Sequence, residues 1–454
     1  MVNWIIKDKE FHKSAFLITF PLILQRFLSS ILTLVDTYIF GTLGENALAV
    51  MSLTNIPLRV VQMFLFGAQS GTSIMISQFY GKKDETSVSK VLGVALWTVS
   101  CITLSVFVIL LCIPESFLSL FSNNTQIVTL AVDYARFSAL AFFFNAIDLI
   151  YLSALNAMEK TKTGTYILTS SMIVKVICDR LYTSDLFSLG IFGAGLATLT
   201  ARLFEFLCCM IHMHRNESFH IDLKTVLFPG KEMLYRYFSS AGTVVINETI
   251  WGAGISAITN VFSHMDGSVG ILSAYSVSEI AQNIINSISG GFSNATAIIV
   301  GVSVGNSEEE KQIRKKGCTM IFSGTLCGAF FGLILFLTNY FFGYSVLFPA
   351  FSLSTESANA CFAMLNINAL LLALRTFNNT IVVGVLRGAG DVKYAALIDI
   401  LPLWLAAVPY AYLCGLILKL NISWVYSAYI VQYLVQSVFG ILRLKNGCWI
   451  RNLT

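Results

Sequence analysis

Long apolar stretches alternate with short polar turns along nearly the whole chain, and this pattern predicts about twelve membrane-spanning helices. The predicted spans run roughly 14–40, 46–79, 90–112, 126–153, 164–183, 190–212, 233–263, 269–303, 316–338, 356–386, 394–417 and 423–442. Each is near or above the roughly 20 apolar residues that a hydrocarbon core about 30 Å thick requires. The longest polar stretch, HRNESFHIDLKTVLFPGKEMLYRY from His214, interrupts the series at its middle. It predicts an N-terminal lobe (1–213), a cytoplasmic linker (214–232) and a C-terminal lobe (233–454).

An internal repeat supports that division. A shift of 224 residues places GKKDETSVSK (from Gly81) on GNSEEEKQIRK (from Gly305), and a shift of 231 places LNAMEKTK (from Leu155) on LRGAGDVK (from Leu386). Each half has six spans, so both enter the membrane from the same side. The expected fold is an all-α polytopic membrane protein of two six-helix lobes, parallel repeats about a pseudo-two-fold along the membrane normal.

Composition agrees, with 56% hydrophobic residues, 12% charged residues and a mean hydropathy of +0.74. The net charge of +4 gives no argument for nucleic acid, and its distribution matters more than its size. Of the 29 basic residues, 21 fall on one side of the predicted layout, including Lys82, Lys83, Lys160, Lys162, Lys315, Lys316, Arg387 and Lys393. Basic residues collect in cytoplasmic loops, so both termini are expected inside, in a multi-pass protein of the plasma membrane. The ten cysteines form no C-x-x-C pair, and His212, His214 and His220 fall in what reads as a polar loop, so no metal constellation is expected.

No Gly-rich phosphate loop, nucleophile motif or carboxylate pair at hydrolase spacing is present, and no loop can hold a nucleotide-binding domain. With no cofactor expected, energy for any transport would have to come from an ion gradient or from a partner, and the lipid bilayer is the one surrounding the composition itself implies. The chemistry then rests on ionisable residues inside spans, which are costly in hydrocarbon and mark functional positions. Arg202 with Glu205, and Asp133 with Arg136, are three apart and read as structural ion pairs. Asp148 and Asp399 read as satisfied helix-packing contacts.

Two places stand apart. Pro21 and Asp36 put a helix-bending residue and a carboxylate on the first span. In MIVKVICDRLY of the fifth span, Lys175 and Asp179 are four apart on one helix face. Two readings stay open there: an intrahelical salt bridge that neutralises both charges, or a coupling site that also faces Asp36.

At these residues the chain resembles the multidrug and toxic-compound extrusion (MATE) family of secondary transporters. The resemblance lies in PLILQRFLSSILTLVDTYIFGTLGENALA, SQFYGKKD, GAGLAT and VLRGAGD, in that order, and covers essentially the whole chain. It implies a V-shaped cavity between two lobes and export of amphipathic, often cationic, molecules against inward Na⁺ or H⁺ by a protein expected to be monomeric. By position, the resemblance assigns cation coupling to Asp36, Asp179, Thr198 and Glu248, with Pro21 as the helix hinge and a Na⁺ site at Asp36, Asp179 and Thr198. Lys175 departs from the family, which commonly has asparagine there, and its ammonium would occupy the space of a bound Na⁺. On the tenth span, where one branch of the family carries an aspartate, this chain has Thr376, Asn378 and Asn379. The alternative kept in view is a flippase of the same superfamily that moves a lipid-linked or anionic headgroup, because Arg26, Arg59, Lys175 and Arg375 also lie within spans.

Overall fold

The computed structural model describes residues 5–122, 124–183, 189–215, 223–351 and 353–453. Among them there is no strand, and twelve long helical segments follow the expected order. The first six are α1 (Lys9–Thr42), α2 (Glu45–Gly81), α3 (Glu85–Cys112), α4 (Thr125–Ala157), α5 (Thr161–Thr183) and α6 (Gly190–Arg215). The second six are α7 (Lys231–Ser263), α8 (Ser268–Gly305), α9 (Glu310–Phe342), α10 (Thr355–Asn379, continued by widened turns over Thr380–Arg387), α11 and α12. Helix α11 starts as Val392–Pro402 and runs through widened turns to Ile417, while α12 comprises Ile422–Tyr426 and Ala428–Asn446. At 1.5 Å per residue, even the 23 residues of α5 reach about 35 Å, enough to cross a bilayer.

By length and hydropathy ten of these helices qualify as spans among the described residues, and α5 and α7 do not. Lys175 and Asp179 lie on α5 and Glu248 on α7, so both helices that fall short carry candidate residues. Part of the predicted linker falls outside the described residues. Its short helix Leu223–Leu227 packs on α3, where Trp97 Nε1 donates to the Leu227 carbonyl at 3.1 Å. Helix α6 extends to Arg215, so His212 and His214 are helical and not in a loop, because the apolar face of α6 continues to Ile211.

Helix starts follow side-chain capping. Asp84 accepts from Ser87 N at 3.0 Å, Asn124 from Gln126 N and Ile127 N, and Ser354 from Ser357 N. Each satisfies N–H groups that a helix leaves open in its first turn. Helix ends display the repeat. Lys82, Lys83 and Asp84 donate their amides to Gln78, Tyr80 and Phe79, and Asn306, Ser307 and Glu308 donate to Val302, Val304 and Ser303, the same three bonds 224 residues later. Met158, Glu159 and Lys160 donate to Ala154, Asn156 and Leu155, and Ala389, Gly390 and Asp391 donate to Val385, Arg387 and Leu386, the same bonds 231 residues later. The left-handed residue of each turn sits at the matching place: Lys83 (φ 61°) with Ser307 (54°), and Glu159 (61°) with Gly390 (87°).

Two compact units result, Leu28–Val245 in one and Met1–Phe27 with Ile246–Thr454 in the other. The first helix of each repeat is divided between them. The early part of α1 packs Ala15, Ile18 and Leu22 against Ala295, Ile298, Ile299 and Met320 of the second unit. The early part of α7 joins the first unit, where Tyr237 Oη lies 3.1 Å from Thr72 Oγ1 and 3.3 Å from the Ala68 carbonyl. In the first unit a core of Phe40, Val50, Leu110, Val128 and Tyr134 joins α1 to α2, α3 and α4. In the second unit Phe262, Met364, Leu365, Leu403 and Tyr426 form the largest core. There α9 presents Gly324 and Gly328 to Thr380 and Thr376 of α10, the small-residue approach that lets membrane helices pack without a hydrophobic drive.

Gly390 tests the turn geometry. An added Cβ there is strained by the positive φ and presses on the Arg451 carbonyl, so Gly390→Ala should cost at least about 1 kcal/mol and lower the melting temperature of the detergent-solubilised protein. Ser307→Gly, at the corresponding place, should raise it.

Candidate functional site

In the first unit, Lys175 joins two carboxylates. Its Nζ lies 2.6 Å from Asp36 Oδ1 and donates to Asp179 Oδ2 at 2.9 Å. The helical spacing of Lys175 and Asp179 brings those two side chains together, and α1 supplies Asp36 from across the unit. The intrahelical pair of Lys175 and Asp179 is present, and Asp36 faces the same ammonium. Asp179 and Lys175 are buried, whereas the Asp36 side chain keeps 27% of its surface exposed. The ammonium thus stands between the two acids, the position a bound cation would take. Thr198 is not joined to this group by a hydrogen bond, since its hydroxyl donates to the Ala194 carbonyl of its own helix at 3.1 Å. Pro21 lies inside an unbroken α1, six residues before the point at which that helix passes from one unit to the other.

The second unit holds a matching arrangement that the sequence pattern concealed. Arg387 is buried and reaches Glu248 Oε1 at 2.8 Å through NH1 and Asp399 Oδ2 at 3.1 Å through NH2. Asn247 Nδ2 also donates to Asp399 Oδ2 (2.9 Å), and Gln436 Nε2 donates to Oδ1 (3.0 Å). Arg387 is therefore not one of the solvated basic loop residues, because the helix continues through it in widened turns and carries its side chain inward. Such turns recur at functional sites. Asp399, just before the next widened run Leu403–Ala407, is the second acid of the group and not a plain packing contact. The residues of α10 do not supply it: Asn379 donates to Ser289, and Asn378 to the Tyr433 carbonyl and Ser437.

Arg26 also belongs to the second unit. Its guanidinium lies over Gly290, where a Cβ would sit 2.8 Å from NH1, and it interacts electrostatically with Glu248. Arg375 donates to Tyr433 Oη at 2.8 Å. Among the described residues, no group of three or more His, Cys, Asp or Glu side chains is arranged to hold a metal ion.

In both units one acid is more deeply enclosed and the other more exposed. Asp179 and Asp399 show 1% and 15% of their side-chain surface, against 27% for Asp36 and 28% for Glu248. The accessible acid sits each time on the first helix of the repeat.

The chain matches the MatE family model over residues 21–181, the segment that contains Pro21, Asp36, Lys175 and Asp179. Over that segment the chain is similar to the MATE family of transporters. The probable multidrug resistance protein YoeA of Bacillus subtilis (strain 168) is 24% identical over 433 residues, 93% of this chain and 91% of that one. The probable multidrug resistance protein NorM of Thermotoga maritima is 20% identical, covering 98% and 95%. Solved MATE structures share the fold. A mutant of the Vibrio cholerae MATE transporter VcmN superposes with a TM-score of 0.86 at 16% identity over 98% of both chains. The eukaryotic MATE transporter AtDTX14 gives 0.81 at 18% identity over 98% and 97%. The relatives it matches along nearly their whole length carry multidrug resistance names.

The second group carries a stability prediction. Arg387→Ala leaves Glu248 and Asp399 facing each other without the guanidinium, and removing one partner from a buried ion network costs about 3–5 kcal/mol. Arg387→Lys keeps the charge but loses the fork that reaches both acids and should fall between the two. Thermal unfolding in detergent ranks the three proteins, and equal stability of Arg387→Ala and the parent would contradict the bridging role.

Proposed function

We propose that this protein is a MATE-type transporter, a cation-coupled antiporter that exports amphipathic, cationic small molecules across the plasma membrane by alternating access, with both termini in the cytoplasm. The observation that carries the reading is Lys175 held between Asp36 and Asp179. A carboxylate at a membrane-buried position must be paired, protonated or bound to an ion, and Asp36 is the member of this group within reach of an incoming cation. A proton or Na⁺ arriving at Asp36 competes with Lys175, whose ammonium retains Asp179. A cationic substrate competes for the same charge, so cation entry and substrate departure become alternatives at one acid. The coupling ion shifts the inward-open and outward-open states only by its difference in affinity for them. Helices α1 and α7, each shared between the two units, are the elements through which such binding acts, with Pro21 as the bending point of α1.

The multidrug resistance names of the relatives support xenobiotic export, and the charge pattern supports a cationic cargo. An anionic headgroup needs uncommitted cations, yet Lys175 and Arg387 each already hold two carboxylates. Thr198 and Glu248 belong to the proposed cation-binding machinery, Glu248 as the accessible acid of the second unit. Transport needs no cofactor beyond the coupling ion, and one chain carries both ion groups and so acts as a monomer.

Efflux of a cationic dye from proteoliposomes, under H⁺ and Na⁺ gradients imposed separately, tests the function. One gradient should drive efflux in the parent, and Asp36→Asn should abolish it at unchanged expression; efflux retained in that variant would sink the coupling role. Lys175→Asn probes the resident ammonium. It should raise the melting temperature in NaCl relative to choline chloride by more than in the parent, because a mobile cation then fills the vacated position.

A further inference from the structure

A second group of buried charge lies in the first unit and takes no part in the mechanism above. Asp148 on α4 is 1% exposed, and neither carboxylate oxygen has a hydrogen-bond partner. Contacts on either side fix its place at the α4–α6 interface. One turn earlier, the Phe144 ring meets Phe206 at 5.3 Å, and one turn later Tyr151 Oη lies 2.9 Å from His212 Nδ1. Residues three and four apart share a helix face, so Asp148 points toward the stretch of α6 between those contacts. Just before that stretch comes Glu205, also buried, whose Oε2 accepts from Arg202 NH1 at 2.8 Å and from Ser171 Oγ of α5 at 2.9 Å. The charged groups acting on Asp148 are Glu205 and Arg202, and the thiols of Cys208 and Cys209 face the same two acids.

Two carboxylates and one guanidinium leave one negative charge uncompensated. At Asp36 such a surplus lies on a partly exposed side chain, but here both acids are enclosed in the membrane-spanning part of the protein. A bare carboxylate there, with no donor on either oxygen, lacks what normally sustains a buried charge.

We propose that Asp148 and Glu205 form a second monovalent-cation site in the first unit, separate from the Asp36 group, which binds a proton or Na⁺ and supplies the missing positive charge. Ser171 and Arg202 position Glu205, and Asp148 provides the open ligand oxygens. The site couples α4, α5 and α6, so its occupancy sets how these three helices pack.

The test uses the full-length protein in lipid bilayers, monitored by infrared difference spectroscopy of its carboxyl groups. One titration adds acid without Na⁺, and the other adds NaCl at fixed pH against a choline chloride control. A proton site gives the C=O stretch of a protonated carboxyl that disappears in Asp148→Asn and persists in Asp36→Asn. A sodium site gives a Na⁺-specific shift of a carboxylate band with the same dependence on the two variants. Arg202→Gln, which deepens the charge deficit, should bind the same cation about tenfold more tightly. Should Asp148→Asn fail to fold, Asp148→Glu moves the band to the glutamate frequency instead of deleting it. A spectrum that neither titration changes at Asp148, or bands indifferent to its substitution, would show an ionised acid balanced by Arg202 alone and overturn the site. The Asp36→Asn arm keeps that failure distinct from any failure of the Asp36 coupling role.

Discussion

Burial of one cation between two carboxylates is the constraint that organises both units of this protein. A lone charge in a low-dielectric interior is expensive, and a single buried pair often fails to recover the cost of removing two ions from water. A cation with two acids does better electrostatically but carries a net negative charge, which must find solvent, a further donor or another cation. The protein uses each of these outlets. Asp36 keeps part of its side chain exposed, Asp399 accepts from Asn247 and Gln436, and Glu248 has Arg26 within electrostatic reach.

This constraint also explains which helices are tied together. Lys175 binds α5 to α1, and Arg387 binds the end of α10 to α7 and α11. In each case the accessible acid belongs to the helix that leaves one unit and enters the other. Asp36 and Glu248 thus lie on helices divided between the two units, whereas Asp179 and Asp399 lie on helices of one unit only.

Much of this was legible in the sequence. The apolar periodicity foretold twelve helices in order, and the repeat shifts of 224 and 231 reappear in the hydrogen bonds of four turns. The spacing of Lys175 and Asp179 implied their pairing, because a four-residue interval on a helix fixes geometry without knowledge of the fold. The second group was harder to read. Arg387 lies beside the loop residues GAGD, where a basic residue normally faces solvent, and only the widened turns over Thr380–Arg387 carry it inward. Asp399 is twelve residues beyond it on another helix, so no local spacing connects them. Nor could the pattern distinguish a satisfied Asp148 from one with neither oxygen hydrogen-bonded, since that depends on what α6 presents across an interface.

The turns that preserve the repeat also show why its chemistry was free to diverge. Their bonds run between backbone amides and carbonyls, so they survive any side chain that tolerates the left-handed residue. At the matched positions the side chains have changed character: Asn156 corresponds to Arg387, and Lys160 to Asp391. Asp391 is fully buried and pairs with Arg443 and Arg451 of the C-terminal segment, an anchorage that a lysine at the equivalent place cannot reproduce. The bridging cation likewise comes from the fifth helix of one repeat and the fourth of the other. A common requirement, one buried cation for two acids beside a shared helix, was met from different positions on the same backbone. The requirement is therefore electrostatic, imposed by the membrane interior, and is not a relic of the duplicated sequence.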